Sequence, residues 1–311
     1  MKDLKIIFMG TPDIAAESLR TLVENGFNIV CAITQPDKPK GRGHKLVPTE
    51  VKAEAQKYNI PVYQPEKLKN GELQPILDEY KPDLIAVVAY GKILPQYILD
   101  YPKYGCINMH ASLLPKYRGA APVQWSVING EEYTGVTTMK MDIGLDTGDM
   151  LITEKLKIGE YETSEELFER ISSLGAKVLC ETIEKIDDIV PISQNHDEHT
   201  YAPMISKEMA RIDWNKTNNV ISKHICGMNS WPMAYTSYKG EDFKVIEARK
   251  YNDELKGENG EIIRYEKGTG LLIKCADGGI WLKTVQFPGG KRMGIDDYLL
   301  GHSIDVGEIL N

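Results

Sequence analysis

Residues 4–34 read LKIIFMGTPDIAAESLRTLVENGFNIVCAIT. The first seven form a hydrophobic run closing on Gly10, the signature of a strand buried on both faces of a parallel sheet. Pro12 then stands near a helix start, Ala, Leu and Val recur at helical spacing, and Gly26 stops the helix. FNIVCAIT (27–34) is a second strand. Two strands joined through one helix make a β-α-β unit, and such a crossover belongs to parallel pairing. The first turn, MGTPD, offers only Gly10 where a dinucleotide fingerprint needs three glycines, and Pro12 removes a backbone donor. A nicotinamide or flavin site at this turn is therefore not expected.

The alternation continues. PTEVKAEAQKYN (48–59) predicts a helix, PVYQP (61–65) a short strand, and GELQPILDEYK (71–81) a helix weakened by Pro75. DLIAVVAYG (83–91) is the most hydrophobic strand, GCINMHAS (105–112) the next, and APVQWSVING (121–130) a helix. GVTTMKMD and DMLITEKLKI resemble a β-meander. TSEELFERISSLGAKVLCETIEKI (163–186) predicts a long amphipathic helix with Ser164 as N-cap. This order argues an open α/β sheet with helices on both faces, spanning 1–187. Residues 188–206 are polar and broken, a linker. From 207 to 311, after one helix, short strands and Gly turns recur about every ten residues, which reads as a small β-barrel.

At 311 residues, with 42% hydrophobic and 26% charged content, the chain reads as a soluble protein of about two domains. The apolar run at Ile6–Gly10 is too short for a signal sequence or a membrane span, so the protein is expected in the cytoplasm. Five cysteines, an odd number without a C-x-x-C pair, argue for reduced thiols and against a zinc site. His196 and His199 lie in a polar stretch and read as exposed linker; no metal is called for. Net charge is −8 with pI about 5.4, against a general nucleic-acid binder. The acidity is local, though. Residues 1–204 carry 22 Lys and Arg against 30 Asp and Glu, whereas 205–311 carry 15 of each.

INMHAS (107–112) ends a core strand in an unusual way. Residues two apart in a strand share a face, so Asn108 and His110 project together, about 7 Å apart along the chain. They stand at the C-terminal end of a parallel strand, where open α/β sheets bind ligands. An Asn amide suits a developing oxyanion, and His is the usual acid or base near neutral pH. The bland alternative is that both satisfy buried backbone groups. In MDIGLDTGD (141–149), Asp142, Asp146 and Asp149 do not have the spacing of a Ca²⁺ loop. One of them could orient the imidazole, or all three could form a solvated turn. The connection QPDKPKGRGHKLVP (35–48) far exceeds the usual two to six residues. Lys38, Lys40, Arg42 and Lys45 face one Asp37, which suits a mobile basic arm for phosphates or a plain surface loop.

The run NMHASLLPKYRGAAPVQW (108–125) with GLDTGD (144–149) resembles the folate-dependent formyltransferases. GTPDIAAESL, TQPDKPKGRGHKLVPTEVK and TYAPMISKEMARIDW extend the likeness, toward the members acting on methionyl-tRNA, over nearly the whole chain. The resemblance implies a Rossmann-like formyltransferase domain followed by a C-terminal barrel of OB type that helps hold tRNA. It implies 10-formyltetrahydrofolate as co-substrate and the α-amine of initiator methionyl-tRNA as acceptor, for translation initiation. Asn108 would stabilise the oxyanion, His110 would donate or shuttle a proton, and Asp146 would hold His110 and favour its charged form. Ser112, Leu113, Leu114 and Pro115 match the folate motif, and Lys92, Ile93 and Leu94 fall where the family grips the pterin through backbone groups. Arg42 matches the critical tRNA-contacting arginine, with Lys38 and Lys45 as phosphate contacts. Lys291 with Arg292, and Arg249 with Lys250, are the basic clusters the second domain offers. A monomer without an obligate protein partner is expected.

Two rival readings stay open at this point. The same trio could formylate glycinamide ribonucleotide or an amino-sugar nucleotide, and the basic loop is the discriminator. A non-catalytic RNA binder could reuse the fold, although it would have no need of Asn108, His110 and Asp146 together.

Overall fold

The computed structural model describes residues 3–40 and 45–311, with Lys40 and Lys45 described through their backbone alone. The opening stretch folds as its pattern dictates, into β1 (Ile6–Gly10), α1 (Asp13–Glu24) and β2 (Ile29–Ile33). β1 and β2 pair in parallel. Gly10 ends β1 because nothing larger fits: a Cβ there would meet Ala15 Cβ at 2.6 Å and the Val88 carbonyl oxygen at 2.8 Å. β3 (Lys38–Lys40), β4 (Lys45–Val47), α2 (Glu50–Lys57), β5 (Val62–Tyr63), α3 (Gln74–Tyr80) and β6 (Leu84–Val88) follow. Then come α4 (Gln96–Leu99), β7 (Cys106–His110), β8 (Arg118–Gly119), α5 (Pro122–Ile128), β9 (Tyr133–Lys140), β10 (Met150–Lys157) and α6 (Ser164–Glu184). The last elements are β11 (Tyr201–Ala202), α7 (Asn218–Met228), β12 (Tyr235–Tyr238), β13 (Glu241–Tyr251), β14 (Ile262–Glu266), β15 (Gly270–Cys275), β16 (Gly278–Gln286), β17 (Met293–Gly294) and α8 (Ile295–Tyr298).

The chain divides into two compact units. One comprises Met1–Gly119, Gly135–Leu156 and Glu169–Ala202; the other Ala120–Thr134, Lys157–Phe168 and Pro203–Asn311. The first holds a seven-stranded sheet in the order β10-β9-β7-β6-β1-β2-β5. β5, β2, β1, β6 and β7 run parallel, and β9 is antiparallel to β7. The direction of winding reverses beside β1, with β2 and β5 on one side and β6 and β7 on the other. That switch leaves a crevice beyond the strand C-termini, the ligand-binding place of this sheet type. Alternate residues Ile7, Met9, Ile85, Val87 and Cys106 build a core with Leu77 and Ile98 on one face. Each such aliphatic side chain contributes about 1.5–3 kcal/mol when fully buried.

The second unit holds an antiparallel sheet in the order β12-β13-β16-β15-β14, with β17 also on β16. Its core gathers Trp214, Ile225, Phe243, Ile273 and Leu282. The parallel α/β domain and the antiparallel second domain are thus the fold class expected from the sequence. Among the described residues, no helix is long and apolar enough to cross a membrane.

Three local readings change. Pro75 does not weaken α3, because it falls in the first turn, where its missing N–H has no intrahelical partner to lose. The cap of α6 is Thr163, not Ser164. Thr163 Oγ1 accepts from Glu166 N at 3.2 Å while Glu166 Oε2 accepts from Thr163 N at 2.9 Å, a reciprocal capping box. Ser164 instead donates to the Asn229 carbonyl. The basic connection is not shapeless where it is described: β3 and β4 pair as an antiparallel hairpin with Lys38 opposite Val47 and Lys40 opposite Lys45. Its base is fixed by Asp37, which accepts from Lys52 Nζ at 2.6 Å and Gln64 Nε2 at 2.6 Å. The Lys52 hydrogen bond is the main reason the Asp37 carboxyl titrates below its ordinary range, with the Gln64 bond adding to it.

Candidate active site

β7 is buried along its whole length, and its register explains where its polar residues go. Cys106 lies beside Ile85 and Asn108 beside Val87 on β6. Cys106, Asn108 and His110 therefore continue one apolar row and run past its end. Met109 points to the other face, close against α6, where a Cβ on Gly175 would meet its sulfur at 2.7 Å. Asn108 is 9% exposed, and among the described residues its side-chain amide makes no hydrogen bond. An amide without a protein partner keeps its donor and acceptor free for another group.

His110 and Asp146 come together. His110 Nδ1 stands 3.6 Å from Asp146 Oδ2, with the two side chains 7% and 11% exposed. His110 Nε2 lies 2.9 Å from the Tyr117 carbonyl oxygen, so Nε2 carries the hydrogen. The other carboxylates have different work. Asp142 Oδ1 accepts from Gly144 N at 3.0 Å and Thr147 Oγ1 at 2.6 Å, and Asp149 Oδ1 from Ser193 Oγ at 2.8 Å. Of the three aspartates, two shape the loop and one faces the imidazole.

Asp146 Oδ2 is anchored by Gly119 N at 2.8 Å. Gly119 has φ +111, and a Cβ there would lie 2.7 Å from the Tyr201 ring and 2.8 Å from the Ala202 carbonyl oxygen. The closeness follows from β8 pairing in parallel with β11, Arg118 beside Tyr201 and Gly119 beside Ala202. Tyr117, at φ +58, donates its N–H to Thr200 Oγ1 at 2.8 Å. Arg118 and Gln194, both buried, bond each other at 2.6 Å. These residues escaped the sequence reading. Arg118 and Gly119 stand in the quoted signature, but Gln194 and Thr200 lie in a polar run without any local signal.

The remaining candidates are placed as follows. In SLLP, Ser112 donates to the Lys116 carbonyl at 2.7 Å, and Thr137 Oγ1 bridges Ser112 O at 2.8 Å and Leu114 N at 3.2 Å. The loop is thereby tied to β9, with Leu114 buried and Leu113 and Pro115 half-buried. Ile93 is exposed while Leu94 enters the sheet core. Lys92 Nζ donates to the Pro65 and Glu66 carbonyls at 2.9 and 2.8 Å, so its ammonium is engaged within the unit. Lys38 is exposed. Arg42 and the side chain of Lys45 lie outside the described residues. In the second unit Lys291 and Arg292 are exposed, with Arg292 Nη2 3.5 Å from Met233 sulfur. Arg249 and Lys250 are internally paired, with Glu247 and Glu160. Burial pushes the Cys106 and Cys31 thiols up to about 12, which leaves them unreactive near neutral pH.

Comparison with known proteins shows which family has these two domains. The model of the formyl transferase family matches residues 4–183, and that of the formyl transferase C-terminal domain matches 204–303. A methionyl-tRNA formyltransferase of Alkaliphilus oremlandii is 48% identical over 309 residues, 99% of each chain. One from Clostridium beijerinckii is 47% identical over 310 residues, 99% of this chain and 100% of that one. Among solved structures, the N-formyltransferase from Helicobacter canadensis, in complex with folinic acid and dTDP-3-aminofucose, aligns with TM-score 0.66. It is 20% identical and covers 93% of this chain and 100% of its own. WlaRD, a sugar 3N-formyl transferase determined with dTDP and 5-N-formyl-THF, aligns at 0.64 with 20% identity, covering 93% and 99%. At that identity the two structures speak for the fold alone. The matched domains and full-length identity show that the chain belongs to the methionyl-tRNA formyltransferases of the formyl transferase family.

Proposed function

We propose that the protein transfers the formyl group of 10-formyltetrahydrofolate to the α-amino group of initiator methionyl-tRNA. The observation that carries the reading is the unpartnered Asn108 amide on the same strand face as the His110–Asp146 pair, at the C-terminal end of a central parallel strand.

The amine attacks the formyl carbon, and the carbonyl electrons move to oxygen. Asn108 donates to that oxyanion. An α-amine has an ordinary pKa near 7.7–8.0, so a good fraction is already neutral and no strong base is required. The attacking amine sheds one proton, and the folate nitrogen accepts one as its bond to carbon breaks. His110 carries it: Nε2 is committed to Tyr117, while Nδ1, 3.6 Å from Asp146, stands beyond hydrogen-bond length and is free to exchange. Asp146 stabilises the ring while it holds the proton. Placement and oxyanion stabilisation supply most of the rate.

Ser112 to Pro115 and the backbone of Lys92, Ile93 and Leu94 would hold the folate, which needs an apolar slot with a few backbone contacts. In chain order, residues 1–187 carry the transferase chemistry, 188–206 lead on from it while strapping the site, and 207–311 carry the tRNA-holding role, although 120–134 and 157–168 pack with the second unit. Lys38, Arg42, Lys45, Lys291 and Arg292 neutralise tRNA phosphates. The enzyme works as a cytoplasmic monomer. Rate measurements with methionyl-tRNA, glycinamide ribonucleotide and an amino-sugar nucleotide as competing acceptors test the proposal. Methionyl-tRNA should exceed both small amines in kcat/KM; preference for a small amine refutes the acceptor.

A further inference from the structure

We propose that Gln194 is a positioning residue for formyl transfer, held by Arg118 and acting on Asp146 through the backbone of its loop. The proposal rests on the role given to Asp146 above.

Gln194 is 5% exposed, although its neighbours Ser193 and Asn195 are exposed. Its Oε1 accepts from Arg118 Nε at 3.1 Å and Nη2 at 2.6 Å. Its Nε2 donates to the carbonyl oxygens of Asp146 at 2.9 Å and Gly148 at 2.7 Å. Both hydrogens and the oxygen of the amide are thus used inside one unit, an arrangement a passing surface contact does not produce. Arg118 fixes which way the amide faces. Arg118 is 6% exposed and forms no ion pair among the described residues; its guanidinium's other partner is His196 Nδ1 at 3.1 Å. A guanidinium only donates, so the oxygen of Gln194 must face it and the NH₂ must face the loop.

The loop needs such a clamp. Asp146 has φ +53, in the left-handed region that an L-residue enters only at a cost. Gln194 grips the carbonyls of Asp146 and Gly148, while Gly119 N grips the Asp146 carboxylate. Backbone and side chain are held from two directions, and the carboxylate is left facing His110 Nδ1. Without Gln194 the backbone hold is lost, and the carboxylate drifts relative to the imidazole.

The test combines Gln194→Met and Gln194→Glu in the full-length protein with Asp146→Asn, read as kcat, KM for both substrates, and melting temperature. Gln194→Glu keeps an acceptor for Arg118 but turns an oxygen toward the loop carbonyls. Each single Gln194 variant should lower kcat by roughly 10- to 100-fold, since a misplacement of about 1 Å costs up to about 10²-fold, with little change in KM. In the Asp146→Asn background the same changes should cost about twofold or less, because residues acting as a unit are not additive. An equal fold-loss in both backgrounds overturns the proposal, as does wild-type kcat in Gln194→Glu. If Gln194→Met fails to fold, Gln194→Glu carries the comparison. Wild-type kcat in Asp146→Asn alone overturns instead the role of Asp146 on which the proposal stands.

Discussion

Replacing Asn108 by Ala isolates the oxyanion donor. The Asn108 amide makes no hydrogen bond among the described residues, so its removal orphans no partner. It is 9% exposed in the middle of a buried strand, so the change removes packing around one short side chain and no bonded polar group. The melting temperature should therefore change little. Catalysis should suffer far more. Loss of one well-aimed oxyanion donor costs about 10²–10³-fold in kcat, or roughly 2.7–4 kcal/mol of transition-state stabilisation. Because the interaction exists only once charge develops on oxygen, the loss belongs in kcat, with KM for folate and for methionyl-tRNA nearly unchanged. Asn108→Asp sharpens the point: its carboxylate has the same shape but only accepts, and it should be at least as slow. Single-turnover formylation of radiolabelled methionyl-tRNA at saturating folate, beside thermal unfolding of each variant, measures both quantities. A kcat within fivefold of wild type, or a loss confined to KM, would refute the oxyanion role.

Other substitutions probe different parts of the account. Gly119→Ala places a Cβ 2.8 Å from the Ala202 carbonyl oxygen at φ +111, and should destabilise the protein by roughly 1–3 kcal/mol and lower kcat through the Asp146 anchor; a melting curve and turnover matching wild type would contradict the packing. Arg42→Ala should weaken methionyl-tRNA as substrate and reduce the salt dependence of its binding by about one phosphate contact, while a small amine acceptor is untouched; an equal loss for both acceptors removes the loop from tRNA contact. Burial lowers the pKa of His224 on α7, opposed by a hydrogen bond to the backbone of Ala210. The unfolded chain therefore takes up a proton near pH 6.5 that the folded state resists, so stability falls as pH drops below about 6.5. Urea unfolding at about pH 5.5 and about pH 7.5 should show a smaller difference in His224→Gln than in wild type, and identical differences would exclude this histidine as the cause.

What the sequence disclosed follows from which physical signals are local. Strand and helix periods placed β1, α1, β2, β6 and β7, and the two-residue period of β7 set Asn108 and His110 on one face. Asp146 could not be told from Asp142 and Asp149 by spacing. Only the fold shows that Asp142 closes its own loop, Asp149 ties it to Ser193, and Asp146 meets His110. The pairing of Arg118 with Gln194 spans 76 residues and joins two unremarkable polar side chains, which leave no periodic trace. Residues 188–206 read as a linker because they are polar. Yet Gln194, Thr200 and Ala202 within them bind back onto the site loop, and a hydrogen-bonded strap has the composition of a loose one. The hairpin in the basic connection was hidden in the same way, since lysines and prolines carry little strand signal.

The central claim is that this site moves a formyl group onto an initiator methionyl-tRNA. The most direct measurement supplies purified protein with 10-formyltetrahydrofolate and either initiator or elongator methionyl-tRNA, and follows formylmethionine formation. The account predicts rapid formylation of the initiator and much slower formylation of the elongator. Absence of formylmethionine with either tRNA, under conditions where both remain charged, would contradict it.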